Sequence, residues 1–254
     1  MVLLQRFIPI ISTIALFFVW WLSFSRKEWF LYFVAAALII VFLSLAQLLN
    51  WRIFSKQFLG FFVLPFLLQG SLASWLVFID QDWLKTVVMI LAIFGYAMYI
   101  ESCFNYFHHT KAYQPYALAN VSSYLGVLTV WLYFSAVSAL SIFFQTPRYV
   151  LLVFIFIFLV ILLLQSMWIE NIRLLPNIGF FLVLIFVLLQ FYWTVLYLPI
   201  GWLVTGLVMA TLYYFFVNLG KYHLLQSLDS KMVFRYVLVS VLALSGVLAT
   251  AQWF

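Results

Sequence analysis

Long apolar runs broken by short polar or charged segments make up the whole chain. A helix that crosses a bilayer needs about 20 predominantly apolar residues. The breaks divide the chain into nine such segments, at 7–25, 29–49, 57–79, 86–107, 116–144, 149–169, 178–197, 201–219 and 232–252. The connections read RKE, NWRIFSK, DQDWLK, HHTKAYQP, TPR, ENIRLLPN, LPIG and GKYHLLQSLDSK, and none has room for an extramembrane domain. The pattern predicts an all-α, polytopic transmembrane bundle of nine spans, a single integral membrane domain over 1–254. The seventh and eighth spans are parted only by a turn at Pro199 and Gly201 inside an uncharged stretch, which is too long for one helix and suits a tight hairpin. No internal repeat divides the chain, and nine spans do not split into two equal halves, which weakens an inverted-repeat transporter reading.

Composition sharpens this picture. Hydrophobic residues are 69% of the chain and charged residues 7%, against about 45–50% and about 25% in soluble domains. A soluble fold of this size could not hide so much apolar surface. A soluble enzyme, a disordered protein and a nucleic-acid-binding module are excluded, and the expected partners are membrane lipids and a protein in the membrane. The net charge of +6 comes from basic residues scattered singly or in pairs between the apolar runs. Arg6, Arg52, Lys56, Lys111, Arg173, Lys221, Lys231 and Arg235 fall on the N-terminal side of the bundle, and Arg26, Lys27, Lys85 and Arg148 on the other. Eight against four places the N-terminus in the cytoplasm and the C-terminus outside, because cytoplasmic loops carry the excess of Lys and Arg. Trp20, Trp21, Trp29, Trp75, Trp83, Trp193, Trp202 and Trp253 then fall near the outer interface, where tryptophan belts are expected. The first apolar run lacks a small-residue cleavage site and reads as a retained span rather than a signal peptide.

Two spans differ in kind. The sixth contains VLLVFIFIFLVILLL at 150–164, whose side chains cannot hydrogen-bond to a neighbour; it is expected at the periphery, facing lipid. The fifth carries small residues four apart, among them Ala119, Ser122 and Gly126. Such residues let helix backbones approach closely, so this span is expected at the centre of the bundle. In the third span, Pro65, Gln69 and Gly70 mark a candidate helix break. An interrupted span can free backbone groups for a substrate, although a plain kink that neighbouring helices tolerate is the commoner outcome.

Chemistry is sparse. No phosphate loop, nucleophile elbow, zinc-protease motif or mid-span carboxylate pair is present, so no cofactor and no metal site is expected. Cys103, the one cysteine, reads as a small buried hydrophobe. Asp80 and Asp82 read as a solvated turn capping the fourth helix, where acidic residues suit the dipole. The richest segment is YIESCFNYFHHTKAY at 99–113, which sets Glu101, Asn105 and His108 on one helix face at i, i+4 and i+7. With His223 from the same side they form a candidate polar cluster. Glu101 is expected within membrane depth, facing the protein interior or a water-filled inlet, because a lipid-facing carboxylate is costly.

The segment FNYFHHTKAYQPYALANVSSYLGVLTVWLY resembles one in uncharacterised multipass membrane proteins of candidate-phylum bacteria. The resemblance covers about thirty residues. It implies a bacterial cytoplasmic membrane protein and no activity. The function expected is that of an accessory or scaffold membrane component. A small transporter or lipid-handling protein, or a membrane-embedded enzyme acting on lipid headgroups, are the alternatives.

Overall fold

A computed structural model describes residues 2–53, 55–108, 114, 116–173, 175–226 and 228–251. Among these, nine α-helices are long and apolar enough to cross a membrane. They are α1 (Val2–Ser25), α2 (Phe30–Leu48), α3 (Lys56–Leu76), α4 (Asp82–His108), α5 (Ala117–Phe143), α6 (Arg148–Ile169), α7 (Ile178–Val195), α8 (Trp202–Leu224) and α9 (Ser230–Thr250). Short 3-10 turns at Lys27–Trp29 and Leu175–Asn177 lead into α2 and α7. No β-strand occurs among the described residues.

The helix ends follow local chemistry. Ser55 caps α3, its Oγ accepting from the Phe58 amide at 3.1 Å, which satisfies one orphan donor of the first turn. Asp82 opens α4 and pairs with Lys85 at 3.2 Å, its side chain in solvent. The largest boundary differences are at α1, which begins at Val2 rather than at residue 7, and at the end of α8. GKYHL, expected in the following loop, continues the helix to Leu224. The chain turns where Gln226 adopts a left-handed φ of 53°.

The chain forms two compact units, Met1–Gly126 and Val127–Phe254, with the boundary inside α5. In the first, α1 packs on α2 and α4, and α3 packs on α2 and α4, so the four helices close a ring. Leu125 of α5 packs where a side chain on Gly95 of α4 would stand. Interhelical hydrogen bonds join the apolar faces. Trp20 Nε1 donates to Gln69 Oε1 at 2.7 Å, and Ser44 Oγ lies 2.7 Å from Tyr96 Oη. Cys103 is fully buried here. Trp20 and Trp75 are also fully buried. They are core residues, not members of an interfacial belt: at a helix end, a tryptophan can turn inward as readily as toward headgroups. Trp21, Trp29 and Trp83 are exposed.

In the second unit α6, α7, α8 and α9 pack in series. The second half of α5 touches three of them. Tyr133 stacks on Phe158 of α6 with ring centroids 3.8 Å apart, Phe134 meets Tyr192 of α7 edge-on, and Gly206 of α8 lies against Trp131 and Ser135. The spanning stretch of α5 has the largest buried share of the nine, 61%. The expectation for α6 is corrected. Half of its spanning stretch is buried, with Leu151, Ile155, Phe158, Leu159, Leu162 and Leu163 turned inward. Its backbone also takes a hydrogen bond, from Tyr133 Oη to the Phe154 carbonyl at 3.1 Å. Apolarity suits lipid and protein neighbours alike, so it commits a helix to the membrane without choosing its surroundings. The peripheral helix is α9, with 6% of its spanning stretch buried.

Candidate functional site

In the first unit, α4 turns Val88, Ala92, Tyr96, Tyr99, Ile100 and Cys103 inward. Glu101 follows Ile100 by one residue, about 100° around the helix, and points away from that face. It is exposed rather than turned into the interior. Asn105, one turn on, donates Nδ2 to Glu101 Oε1 at 3.4 Å. At 27 residues α4 is about 40 Å long, some 10 Å more than the hydrocarbon core. His108 stacks on Phe104, ring centroids 5.1 Å apart, and its Nδ1 is buried without a hydrogen-bond partner among the described residues. His109 and Lys111 lie outside the described residues.

The candidate break at Pro65, Gln69 and Gly70 is continuous helix. Proline has no N–H, so the Phe61 carbonyl four residues earlier loses its helical donor. Tyr99 of α4 replaces it, with its hydroxyl donating to that carbonyl at 2.9 Å. Neighbouring helices repair proline defects in membranes in this way. Gln69 is buried on its Trp20 bond, with Nε2 unpartnered among the described residues, and a Cβ on Gly70 would meet nothing within 4 Å. Ala119, Ser122 and Gly126 are all buried on α5, as a close-packing face requires.

The second unit holds the denser arrangement, at the end where α6 and α8 finish and α7 and α9 begin. Glu170 follows the last turn of α6, where unsatisfied carbonyls already place negative charge. Lys221, in the last turn of α8, donates to Glu170 Oε1 at 3.3 Å. The Lys221 and Glu170 side chains are 11% and 13% exposed, so the lysine neutralises a largely desolvated carboxylate. His223 is exposed and stacks on Phe180 of α7, centroids 5.9 Å apart. It belongs to this unit, whereas Glu101, Asn105 and His108 belong to the other. Arg173 and Asp229 are exposed at the same end.

Beside the ion pair an open groove of about 340 Å³ runs between α7 and α8. Its walls are apolar apart from His223. The ion pair was hidden from sequence reasoning because the charge at Lys221 marked a connection. Its one legible sign was a glutamate and a lysine each adjoining an apolar span on the same side. No group of three or more His, Cys, Asp or Glu that could hold a metal occurs among the described residues. The chain matches no family model, no curated protein and no solved structure.

Proposed function

We propose that the protein is an accessory or scaffold component of a membrane assembly, and that α9 is the surface offered to its partner. The observation that carries this reading is the isolation of α9. It packs on α8, and 6% of its spanning stretch is buried, against 28–61% for the other eight. Ser240 is its one buried residue among those described. Leu242, Ser245, Gly246 and Ala249 follow one another at i, i+3, i+4 and i+7, and all are exposed. A Cβ on Gly246 would meet nothing within 4 Å. Lipid needs no small residues, whereas a helix from another membrane protein uses them to bring backbones into contact. The Ser245 hydroxyl donates to the Leu242 carbonyl at 3.0 Å and the Thr250 hydroxyl to the Gly246 carbonyl at 2.8 Å. The surface is therefore satisfied without its partner, and association rests on van der Waals packing.

The reading is completed by a bacterial cytoplasmic membrane, supported by the thirty-residue resemblance, with the N-terminus inside and the C-terminus outside, supported by the eight-to-four basic count. Reporter tags at the two ends should mark opposite sides; both on one side would overturn that topology. A photo-crosslinking residue at Ser245, in cells, should give one discrete adduct with another membrane protein, and the same residue at Ile157 of α6 should give none. Equal labelling from both positions would contradict the assignment of α9.

A further inference from the structure

The groove between α7 and α8 has the form of an amphiphile's mould. Phe180, Val183 and Val187 line one wall and Phe216, Leu219 and His223 the other. On each helix these positions span seven residues, so the walls run about 10 Å along the axes. The volume of about 340 Å³ lies within the range of small-molecule sites, roughly 300–1,000 Å³. At the polar end Gly220 lets α7 and α8 meet closely: the Phe180 ring stands 2.9 Å from where a Cβ on Gly220 would be. Leu228, in the connection to α9, also lines the groove.

Charge identifies the headgroup. Besides His223, this end of the unit carries Arg173, Lys221, Lys231 and Arg235 against Glu170 and Asp229. Lys221 and Glu170 neutralise each other at 3.3 Å. Arg173, Lys231 and Arg235 are exposed, the last two in the first turns of α9, which packs on α8. The end is left with net positive charge where the apolar groove opens, and anionic headgroups are held at such juxtamembrane cations. We propose that the groove holds one acyl chain of an anionic phospholipid, with the phosphate at His223 and the exposed cations around it. The bound lipid would be a fixed component of the second unit. This inference is independent of the role given to α9.

The test is native mass spectrometry of the full-length protein in detergent, with equimolar dioleoyl phosphatidylglycerol and dioleoyl phosphatidylcholine. The expected result is one phosphatidylglycerol retained per chain, at least fivefold over phosphatidylcholine. Val183→Trp and Leu219→Trp fill the groove from opposite walls, and each should lower retained phosphatidylglycerol at least fivefold. His223→Ala should lower the preference for phosphatidylglycerol at least threefold while the protein melts as wild type. Equal retention of the two lipids, or of neither, would overturn the proposal, as would undiminished retention in both groove-filling variants. Should both of those fail to fold, the wild-type preference and its loss in His223→Ala decide alone. A protein seated in the groove, in place of lipid, would also overturn it.

Discussion

The second half of α5 and the helix α9 are built from the same kind of residue and meet opposite fates. Ser135, Ala136, Ser138 and Ala139 are buried among α6, α7 and α8. Ser245, Gly246, Ala249 and Thr250 stand exposed. Small residues report that a backbone can approach closely, and do not say whether the approaching helix belongs to the same chain. The pair α6 and α9 teaches the complementary point. The most apolar helix, mean hydropathy 3.0, is half buried, while α9 at 2.0 is nearly bare. In a bilayer, neighbours are chosen by shape and hydrogen bonding, because lipid already satisfies apolarity.

Five substitutions test the contrast between packed and bare surface. Lys221→Met, which leaves Glu170 alone beside the α6 carbonyls, should cost about 3 kcal/mol in a detergent unfolding experiment. Adding Glu170→Gln should recover most of it, and an unchanged melting curve for the single variant would show that the pair contributes nothing. Gly206→Ala should cost about 2 kcal/mol, as overpacking does, because its Cβ would stand 2.7 Å from the Trp131 carbonyl oxygen. The same change at Gly246 should be neutral or slightly stabilising. If both glycines respond alike, the distinction between the surface of α8 packed on α5 and the bare face of α9 collapses. Tyr99→Phe should cost about 1 kcal/mol by removing the hydroxyl that donates to the Phe61 carbonyl. The cost should vanish in a Pro65→Ala background, where the restored amide serves that carbonyl, so additive losses would contradict the repair. Ile157→Leu, on the exposed side of α6, should shift stability by less than about 0.5 kcal/mol.

Nine spans were legible because each apolar run has membrane length and each break has polar or turn residues. The burial of α5 was legible from Ala119, Ser122 and Gly126, since small residues matter only where something packs on them. The inward face of α6 was not, because Phe158 reads the same whether lipid or the Tyr133 ring covers it. At Pro65 the sequence announces a missing amide, but the tyrosine that repairs it lies 34 residues along the chain. The charge at Lys221 breaks the apolar run and so marks a connection in the sequence, yet Gly220 and Lys221 lie inside α8, with Phe180 pressed against Gly220. Glu101 shows the limit of burial arguments: on the exposed face of α4, Asn105 one turn away serves it without an interior.

The proposal that the bare face of α9 binds a protein stands or falls on whether that face holds an assembly together. The most direct measurement compares wild type and Gly246→Leu by native electrophoresis after mild solubilisation of the source membranes, with the melting temperature of each purified protein as the control. Wild type should migrate in an assembly larger than the chain's 29.8 kDa with its bound detergent. Gly246→Leu should migrate as the free protein while melting as wild type does. Identical migration of the two, whether both assembled or both free, would contradict it.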